Sequence, residues 1–117
     1  MKLTPQQVAE AFSNGRFLDT YPCMAENITW EIVNEKTLEG KMAVMDNCAQ
    51  TAAYFETVTT DFKTLNCICS GDFVVINGTA VFINAKNKRT EVSACDMYRF
   101  ENGQLAQVTS YCIVLTP

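Results

Sequence analysis

The sequence predicts an α+β fold in which a curved, mostly antiparallel sheet wraps around three N-terminal helices and leaves a pocket between them. Helical spacing of apolar residues is confined to the first half of the 117 residues. Long runs of β-branched and aromatic residues, joined by short turns, fill the second half. Helices and strands segregated in this way are typical of α+β proteins. The length suits a single domain over residues 1–117.

Two short helical segments are predicted at the start of the chain. Thr4 can cap the first helix, Pro5 suits its first turn, and Gln7 completes a capping box. The helix is expected to stop at residues 13–15, where the sequence reads Ser-Asn-Gly. The second segment is predicted over residues 17–24, where four apolar side chains recur at helical spacing.

A strand over residues 27–33 and a longer helix over residues 41–57 are predicted next. Ile28, Trp30 and Ile32 alternate with polar residues and therefore share one face of the strand. A polar loop then leads to Gly40 and the helix. The helix carries an apolar stripe at spacings of three and four residues, formed by Val44, Met45, Cys48, Ala52 and Phe55.

Four long strands complete the chain as an antiparallel meander. Asn102-Gly103 is a strong signal for a hairpin turn, and Asn77-Gly78 predicts a β-bulge. Strands packed on three helices are expected to curl into a half-open cone, whose pocket is the usual place for a small ligand. The predicted strands cover residues 62–70, 73–85, 89–101 and 104–115.

The strand over residues 89–101 predicts a second copy of the chain as a partner. One of its faces is largely apolar and is expected to point inward. The other face mixes charged, polar and apolar residues, a composition that suits a homodimer surface better than a fully solvated one. The inward set is Val92, Ala94, Asp96, Tyr98 and Phe100, and the outward set is Glu91, Ser93, Cys95, Met97 and Arg99.

Composition excludes several classes of function. The chain has no histidine, which excludes Ser-His-Asp and Cys-His nucleophile schemes and zinc sites that use histidine. The net charge of −4 disfavours nucleic acid as a partner, because phosphate binding needs a basic surface. No apolar run is long enough to cross a membrane, and the N-terminus has no apolar signal core. We therefore expect a cytoplasmic protein without a metal or other cofactor.

The six cysteines are interpreted as reduced thiols in the core or at an interface. Without a secretory signal, an even count does not indicate a disulfide framework. Cys67 and Cys69 are separated by one residue, and no two of the six cysteines have the C-x₂-C spacing of a zinc site. Residues two apart in a strand share a face, and these two thiols are expected to lie side by side. A redox-active or nucleophilic cysteine is the alternative.

Five segments carry a resemblance to a known superfamily. They are Gly15-Arg16-Phe17-Leu18, Ile28-Thr29-Trp30-Glu31-Ile32, Leu38-Glu39-Gly40-Lys41, the run from Asp96 to Leu105, and Val108-Thr109-Ser110-Tyr111. On these segments nearly the whole chain resembles the nuclear transport factor 2-like superfamily, whose fold is a cystatin-like cone. More narrowly, it resembles the SnoaL-like and ketosteroid-isomerase-like branch. The resemblance implies the fold and not one activity, because the superfamily includes isomerases, cyclases, epoxide hydrolases, dehydratases and non-catalytic binders.

The resemblance places one ketosteroid isomerase group on this chain and leaves two absent. Asp96 falls where that family has the protonated aspartic acid of its oxyanion hole. The general-base aspartate falls at Ile32, and the oxyanion tyrosine falls at about Val8. Cys112 replaces a tryptophan that often lines the pocket. Steroid isomerisation by that scheme is therefore not expected.

Asp96 is the candidate catalytic residue because its neighbours on the same strand face are apolar or aromatic. Such surroundings are expected to raise the pKa of the carboxyl group by desolvation, as suits a general acid or base or a hydrogen-bond donor to a ligand oxygen. A structural carboxylate is the alternative. The other residues expected to line the pocket, each of which is also compatible with plain packing, are Tyr21, Trp30, Ile32, Tyr54, Tyr98, Val108 and Cys112.

Three functions are compatible with these patterns. The first is an isomerase-, cyclase- or hydrolase-type enzyme in which Asp96 moves a proton on a small apolar or cyclic molecule. The second is a non-catalytic module that binds such a molecule in the same pocket. The third is a dimeric interaction domain whose cavity is filled by its own side chains. An open apolar pocket with Asp96 at its base would favour the first two.

Overall fold

Three helices pack on one curved, unclosed sheet in the computed structural model, which describes residues 3–116. Helix α1 spans Pro5–Ser13, a 3₁₀ helix spans Phe17–Cys23, and helix α2 spans Lys41–Phe55. The strands are β1 Met24–Ile32, β2 Lys36–Glu39, β3 Val58–Ser70, β4 Phe73–Asn84, β5 Arg89–Glu101 and β6 Gln104–Val114.

The six strands form one mixed sheet in the order β2-β1-β6-β5-β4-β3. Strands β1 and β6 pair in parallel, and the other four pairs are antiparallel. Helix α1 contacts the central strands, whereas α2 contacts the two ends of the sheet through β1, β2 and β3. The predicted α+β fold, with a curved sheet around three helices, is confirmed.

Local sequence signals account for most of the helix and strand boundaries. Thr4 accepts a hydrogen bond from the backbone of Gln7, whose side chain accepts one from the backbone of Thr4, so the predicted capping box is present. The Asn102-Gly103 turn joins β5 to β6, and both residues adopt positive φ angles. Strand β2 lies in a segment predicted to be a polar loop. Its positions are exposed or half-exposed, so no alternation of apolar and polar residues reveals it.

The irregularity predicted at Asn77-Gly78 lies on the opposite strand. Thr64 pairs with Gly78 and Asn66 pairs with Asn77, so the extra residue is Leu65 in β3. The backbone of β3 passes close to Gly78, and a Cβ atom there would lie 2.3 Å from the carbonyl oxygen of Lys63. Glycine at position 78 therefore permits the bulge rather than forming it.

Phe12 of α1 anchors the helices to the sheet. Its ring makes edge-to-face contacts with Phe17, Trp30 and Tyr98, with centroid separations of 5.2, 4.9 and 5.7 Å. Such pairs contribute about 0.5–1.5 kcal/mol each beyond the buried area. The contacts join α1, the 3₁₀ helix, β1 and β5 around one side chain and fix the position of α1 over the sheet.

The six cysteines, all within the described residues, are free thiols. Cys48 is fully buried, and burial raises the pKa of its thiol to about 12. Cys67 and Cys69 pair with Ile76 and Val74 of β4 and share a strand face. Cys69 and Cys112 are exposed, so they do not pack as core residues.

Two observations bear on partners and cofactors. Within residues 3–116, no three histidine, cysteine or acidic side chains lie together as a metal site would require. In the same part of the chain, no helix is both long and apolar enough to cross a membrane.

The close approach at Gly78 yields a stability prediction. The G78A variant should lose roughly 1–3 kcal/mol of unfolding free energy, because the added methyl group collides with the backbone of β3 rather than with a flexible side chain. Urea unfolding of both proteins measures the loss. The matched control is T79A at the neighbouring, half-buried position, which should change stability by about 0.5 kcal/mol or less. Equal stability of G78A and the wild type would show that β3 does not pass as closely as described.

Candidate functional site

A pocket of about 570 Å³ lies between the helices and the inner face of the sheet. Most of its lining is apolar, and its size falls in the range of small-molecule sites. The exposed residues Glu35, Lys36 and Cys112 lie along its edge, so the pocket is open to solvent. The cavity is therefore not filled by the side chains of the chain itself.

Aromatic rings form one wall of the pocket. Phe55 of α2 and Phe82 of β4 are stacked with their centroids 5.7 Å apart, and Phe62 of β3 meets both rings edge-on. Tyr54 is tilted against Phe82 at 5.9 Å. Gly15 makes room for this wall, because a Cβ atom there would lie 3.1 Å from the ring of Phe55. A flat ring on a ligand would find complementary faces and edges here.

Asp96 of β5 lines the same pocket and is held by the end of α1. The hydroxyl group of Ser13 donates to Oδ2 of Asp96 at 2.9 Å. The hydroxyl group of Tyr98 lies 2.5 Å from Oγ of Ser13. Because a serine hydroxyl has one hydrogen, and that hydrogen goes to the carboxylate, Tyr98 is the donor to Ser13. The chain of donors runs from Tyr98 through Ser13 to Asp96.

A second chain of hydrogen bonds reaches Asp96 from Trp30. The indole Nε1 of Trp30 donates to Oγ of Ser110 at 2.9 Å. An indole only donates, so the hydroxyl hydrogen of Ser110 remains available for another acceptor. Ser110 is the cross-strand neighbour of Asp96, and its hydrogen bonding favours the ionised carboxylate. Trp30 is therefore both a pocket wall and an indirect support of Asp96.

Two opposing effects set the proton affinity of Asp96. Burial raises the pKa of the carboxyl group, and hydrogen bonds from Ser110 and from Ser13, which is itself bonded by Tyr98, lower it by less; the net pKa is raised. Burial and the nearby Asp96 raise the pKa of Tyr98 well above its ordinary value. The pKa of the Cys112 thiol is also raised, first by burial and then by Asp96. The arrangement can hold a proton on Asp96 that an exposed aspartate would have lost.

Five of the predicted site residues lie on this pocket in the structure, and three do not. Trp30, Ile32, Tyr54, Asp96 and Cys112 line it. Tyr21, Tyr98 and Val108 were expected to line it as well, and their positions correct that expectation.

The positions of these three residues away from the pocket have physical reasons. The hydroxyl group of Tyr21 points to the backbone carbonyl of Met45 at 3.4 Å, where the 3₁₀ helix meets α2. Tyr98 and Val108 are fully buried cross-strand partners in β5 and β6. Helix α1 covers the inner face of the sheet at that level, with Phe12 against Tyr98. Tyr98 and Val108 therefore belong to the core under α1 and not to the pocket lining.

Sequence reasoning missed several residues that shape the site. The sequence marks Ser13 only as part of a helix stop, and Ser110 only as part of a segment that carries the family resemblance. Phe62 and Phe82 were placed in strands but not at the pocket, although strand alternation puts Phe82 on the same face as Ala80 and Ile76. Asn47 of α2 also lines the pocket, as a polar residue within an inward-facing helical stripe.

Comparison with known proteins identifies a matching domain family and a similar solved structure. Residues 6–108 match the sequence profile of the SnoaL-like domain family. A nuclear transport factor 2-like protein of unknown function from Cytophaga hutchinsonii is 34% identical, with a TM-score of 0.81 over 91% of this chain and 93% of that one. None of the curated proteins matches the chain.

More distant solved structures share the fold. An LEH-like epoxide hydrolase of M. tuberculosis is 16% identical, with a TM-score of 0.71 over 94% of this chain and 84% of that one. A proposed SnoaL-like polyketide cyclase from Jannaschia sp. CCS1 is 12% identical, with a TM-score of 0.73 over 96% of this chain and 88% of that one. At these identities the likeness concerns the architecture alone.

The raised pKa of Asp96 predicts a pH-dependent stability difference. An acid that binds its proton more tightly in the folded state stabilises the fold fully below its unfolded pKa of about 3.9, and this contribution is lost as the pH rises through the folded pKa. The D96N variant cannot ionise, and it keeps an oxygen that accepts from Ser13. It should therefore be more stable than the wild type at neutral pH, and the difference should shrink as the pH falls.

Thermal unfolding across a pH series measures this difference. The matched control is D61N, which changes an exposed aspartate of β3. A D96N protein that is less stable than the wild type at neutral pH would show that the hydrogen bonds outweigh the burial of the carboxylate.

Proposed function

The chain belongs to the SnoaL-like domain family, and we propose that it binds a small apolar, cyclic molecule in its pocket and exchanges a proton with that molecule through Asp96. The observation that carries the proposal is the position of Asp96: on the pocket lining, among mainly apolar groups, and fixed by Ser13 at 2.9 Å. Members of the same fold named as an epoxide hydrolase and a proposed polyketide cyclase support an activity on small molecules.

The chemistry suited to Asp96 is general acid–base catalysis. A raised pKa keeps a fraction of the carboxyl group protonated closer to neutral pH, where it can donate to a ligand oxygen. Once the proton moves to that oxygen, Asp96 becomes a carboxylate. The hydroxyl groups of Ser13 and Ser110 stabilise this charge until the proton returns. The same group, when ionised, can accept a proton from the ligand.

The reaction differs from steroid isomerisation by the ketosteroid isomerase scheme. Ile32 lines the pocket where that scheme places its general base. Val8, near the expected position of the oxyanion tyrosine, is fully buried in the core. Neither side chain can accept or donate a proton, so the proposal gives the proton transfers to Asp96 alone rather than to a relay between two carboxyl groups.

Binding and turnover test the proposal together. A panel of small cyclic ketones, alcohols and epoxides is titrated into the protein while the indole N–H signal of Trp30 is followed by NMR. Since Trp30 is the only tryptophan and lines the pocket, its one signal reports occupancy. For a panel member that is turned over, D96N should retain binding but lose roughly 100-fold or more of kcat.

The D61N variant serves as the control for charge and should leave kcat unchanged, because its side chain is exposed on β3. Binding without turnover of any panel member would favour a non-catalytic binding module. A D96N protein with the kcat of the wild type would contradict the role given to Asp96.

We also propose that the outer face of the sheet pairs two copies of the chain. Ile68, Met97, Tyr111 and Ile113 lie on this face and are all exposed. They come from three strands: Val75 of β4 lies between Ile68 and Met97, and Tyr111 and Ile113 follow on β6 beyond Thr109, the cross-strand partner of Met97, so the apolar side chains extend across this face as one band. Monomeric proteins rarely leave such a surface uncovered, and a second copy would cover it symmetrically.

Sedimentation at micromolar concentration measures this association. The wild type should sediment at twice the 13.0 kDa mass of the chain. The I113D variant should shift to the monomer, because a charge buried in the band has no partner. L18D is the matched control, since Leu18 is exposed on the 3₁₀ helix, away from the sheet. A wild-type protein that is monomeric throughout would contradict the interface.

A further inference from the structure

One polar side chain on the pocket lining makes no hydrogen bond to any of the described residues. Apart from the aromatic residues Trp30 and Tyr98, three buried residues within 3–116 carry polar side chains: Thr20, Asn47 and Ser110. Thr20 donates to the carbonyl of Phe17 at 2.6 Å, and Ser110 accepts from Trp30 at 2.9 Å. The amide of Asn47 makes no hydrogen bond to any of the described residues, although only 8% of the residue is exposed.

The position of Asn47 directs its amide to the pocket. Asn47 and Thr51 are four residues apart on α2 and both line the pocket, so this helix face looks into it. The hydroxyl group of Thr51 is already used, because it donates to the backbone carbonyl of Asn47 at 2.9 Å. The side-chain amide of Asn47 is left as a donor and acceptor group facing the cavity.

An unpaired buried amide is unfavourable unless something in the pocket pairs with it. The amide atoms themselves are not sealed from solvent, since Thr60 Oγ1 is the one fully buried side-chain nitrogen or oxygen without a partner among residues 3–116, and water in the open pocket can bond the amide when no ligand is bound. A ligand that displaces this water without replacing its hydrogen bonds leaves the amide unsatisfied, which costs binding free energy. An apolar residue at position 47 would avoid this penalty and would extend the stripe formed by Val44 and Cys48. The amide of Asn47 at this position is therefore suited to recognise a polar atom on a ligand.

We propose that Asn47 recognises an uncharged oxygen, a carbonyl or hydroxyl group, on a cyclic ligand whose ring lies against Phe55 and Phe82. This inference rests on the proposed function and narrows its substrate class. An amide has no net charge and pairs well with neutral donors and acceptors. The pocket lining carries two acidic side chains, Asp96 and Glu35, and two lysines, Lys36 and Lys63, so it has no excess of positive charge that would favour an anionic ligand. A neutral ring ketone or ring alcohol therefore fits the pocket better than a carboxylic acid.

Two probes of nearly equal shape test the proposal. Indane supplies the ring system alone, and 2-indanone adds one carbonyl oxygen. Each is titrated into the wild type and into N47L, in which a side chain of similar size has no polar atom. The Trp30 indole N–H signal reports binding in the pocket. The measured quantity is the ratio of the indane Kd to the 2-indanone Kd.

We expect this ratio to fall roughly tenfold in N47L, the effect of losing about one neutral hydrogen bond. The loss should appear in the affinity for 2-indanone, with that for indane little changed. Unchanged indane binding also shows that N47L folds and keeps its pocket. The same substitution at an exposed asparagine of β1, N27L, should leave the ratio as it is in the wild type.

The outcomes separate the two proposals. If both probes bind in the pocket but the ratio is the same in N47L and the wild type, Asn47 does not recognise the oxygen, and the proposed function still stands. If neither probe shifts the Trp30 signal, the pocket does not accept small cyclic molecules, and both proposals are rejected.

Discussion

A single hydroxyl group, that of Ser13, joins the last turn of α1 to the centre of the sheet. It contacts both Asp96 and Tyr98, which lie more than 80 residues away along the chain. Phe12, the preceding residue, packs its ring against Tyr98 and Trp30. Together these contacts fix α1 over the sheet, and the pocket begins where α1 ends. The position of Asp96 relative to the cavity depends on this junction.

The polar groups of the pocket form a small and nearly complete network within an apolar shell. Asp96 accepts a hydrogen bond from Ser13, which is bonded by Tyr98, and its cross-strand neighbour Ser110 accepts one from Trp30. Tyr98 and Trp30 bring no charge of their own at neutral pH. The network orients the carboxyl group, but it does not offset the burial that raises the pKa. Asn47 lies outside the network. In the proposed function, the two features divide the pocket into a group that exchanges a proton and an amide that positions the ligand.

Local sequence signals were sufficient for most helices and strands and for the inward orientation of Asp96. The capping box at Thr4 and the Asn102-Gly103 turn act over a few residues, so they can be recognised without knowledge of the tertiary structure. Strand alternation placed Asp96 on the inner face for the same reason. Strand β2 was missed because its pairing with β1, rather than its own side chains, makes it a strand.

The residues that support Asp96 were not predictable, since they depend on register and helix position. A hairpin counted outward from Asn102-Gly103 would place Thr109 opposite Asp96. A register shift between Arg99 and Phe100 instead brings Ser110 opposite Asp96. Asn47 was passed over because a polar residue on a helix is usually solvent-exposed. Tyr98 and Val108 share the face of Asp96, and only the placement of α1 separates them from the pocket.

The protonation of Asp96 is the property on which the account depends most directly. A pH titration of the carboxyl ¹³C signal of Asp96, assigned by comparison with D96N, measures it in the intact protein. The account predicts a midpoint clearly above the ordinary aspartate value of about 3.9. A midpoint at or below that value would show that the hydrogen bonds from Ser13 and Ser110 prevail over burial, and it would contradict the proposed proton exchange.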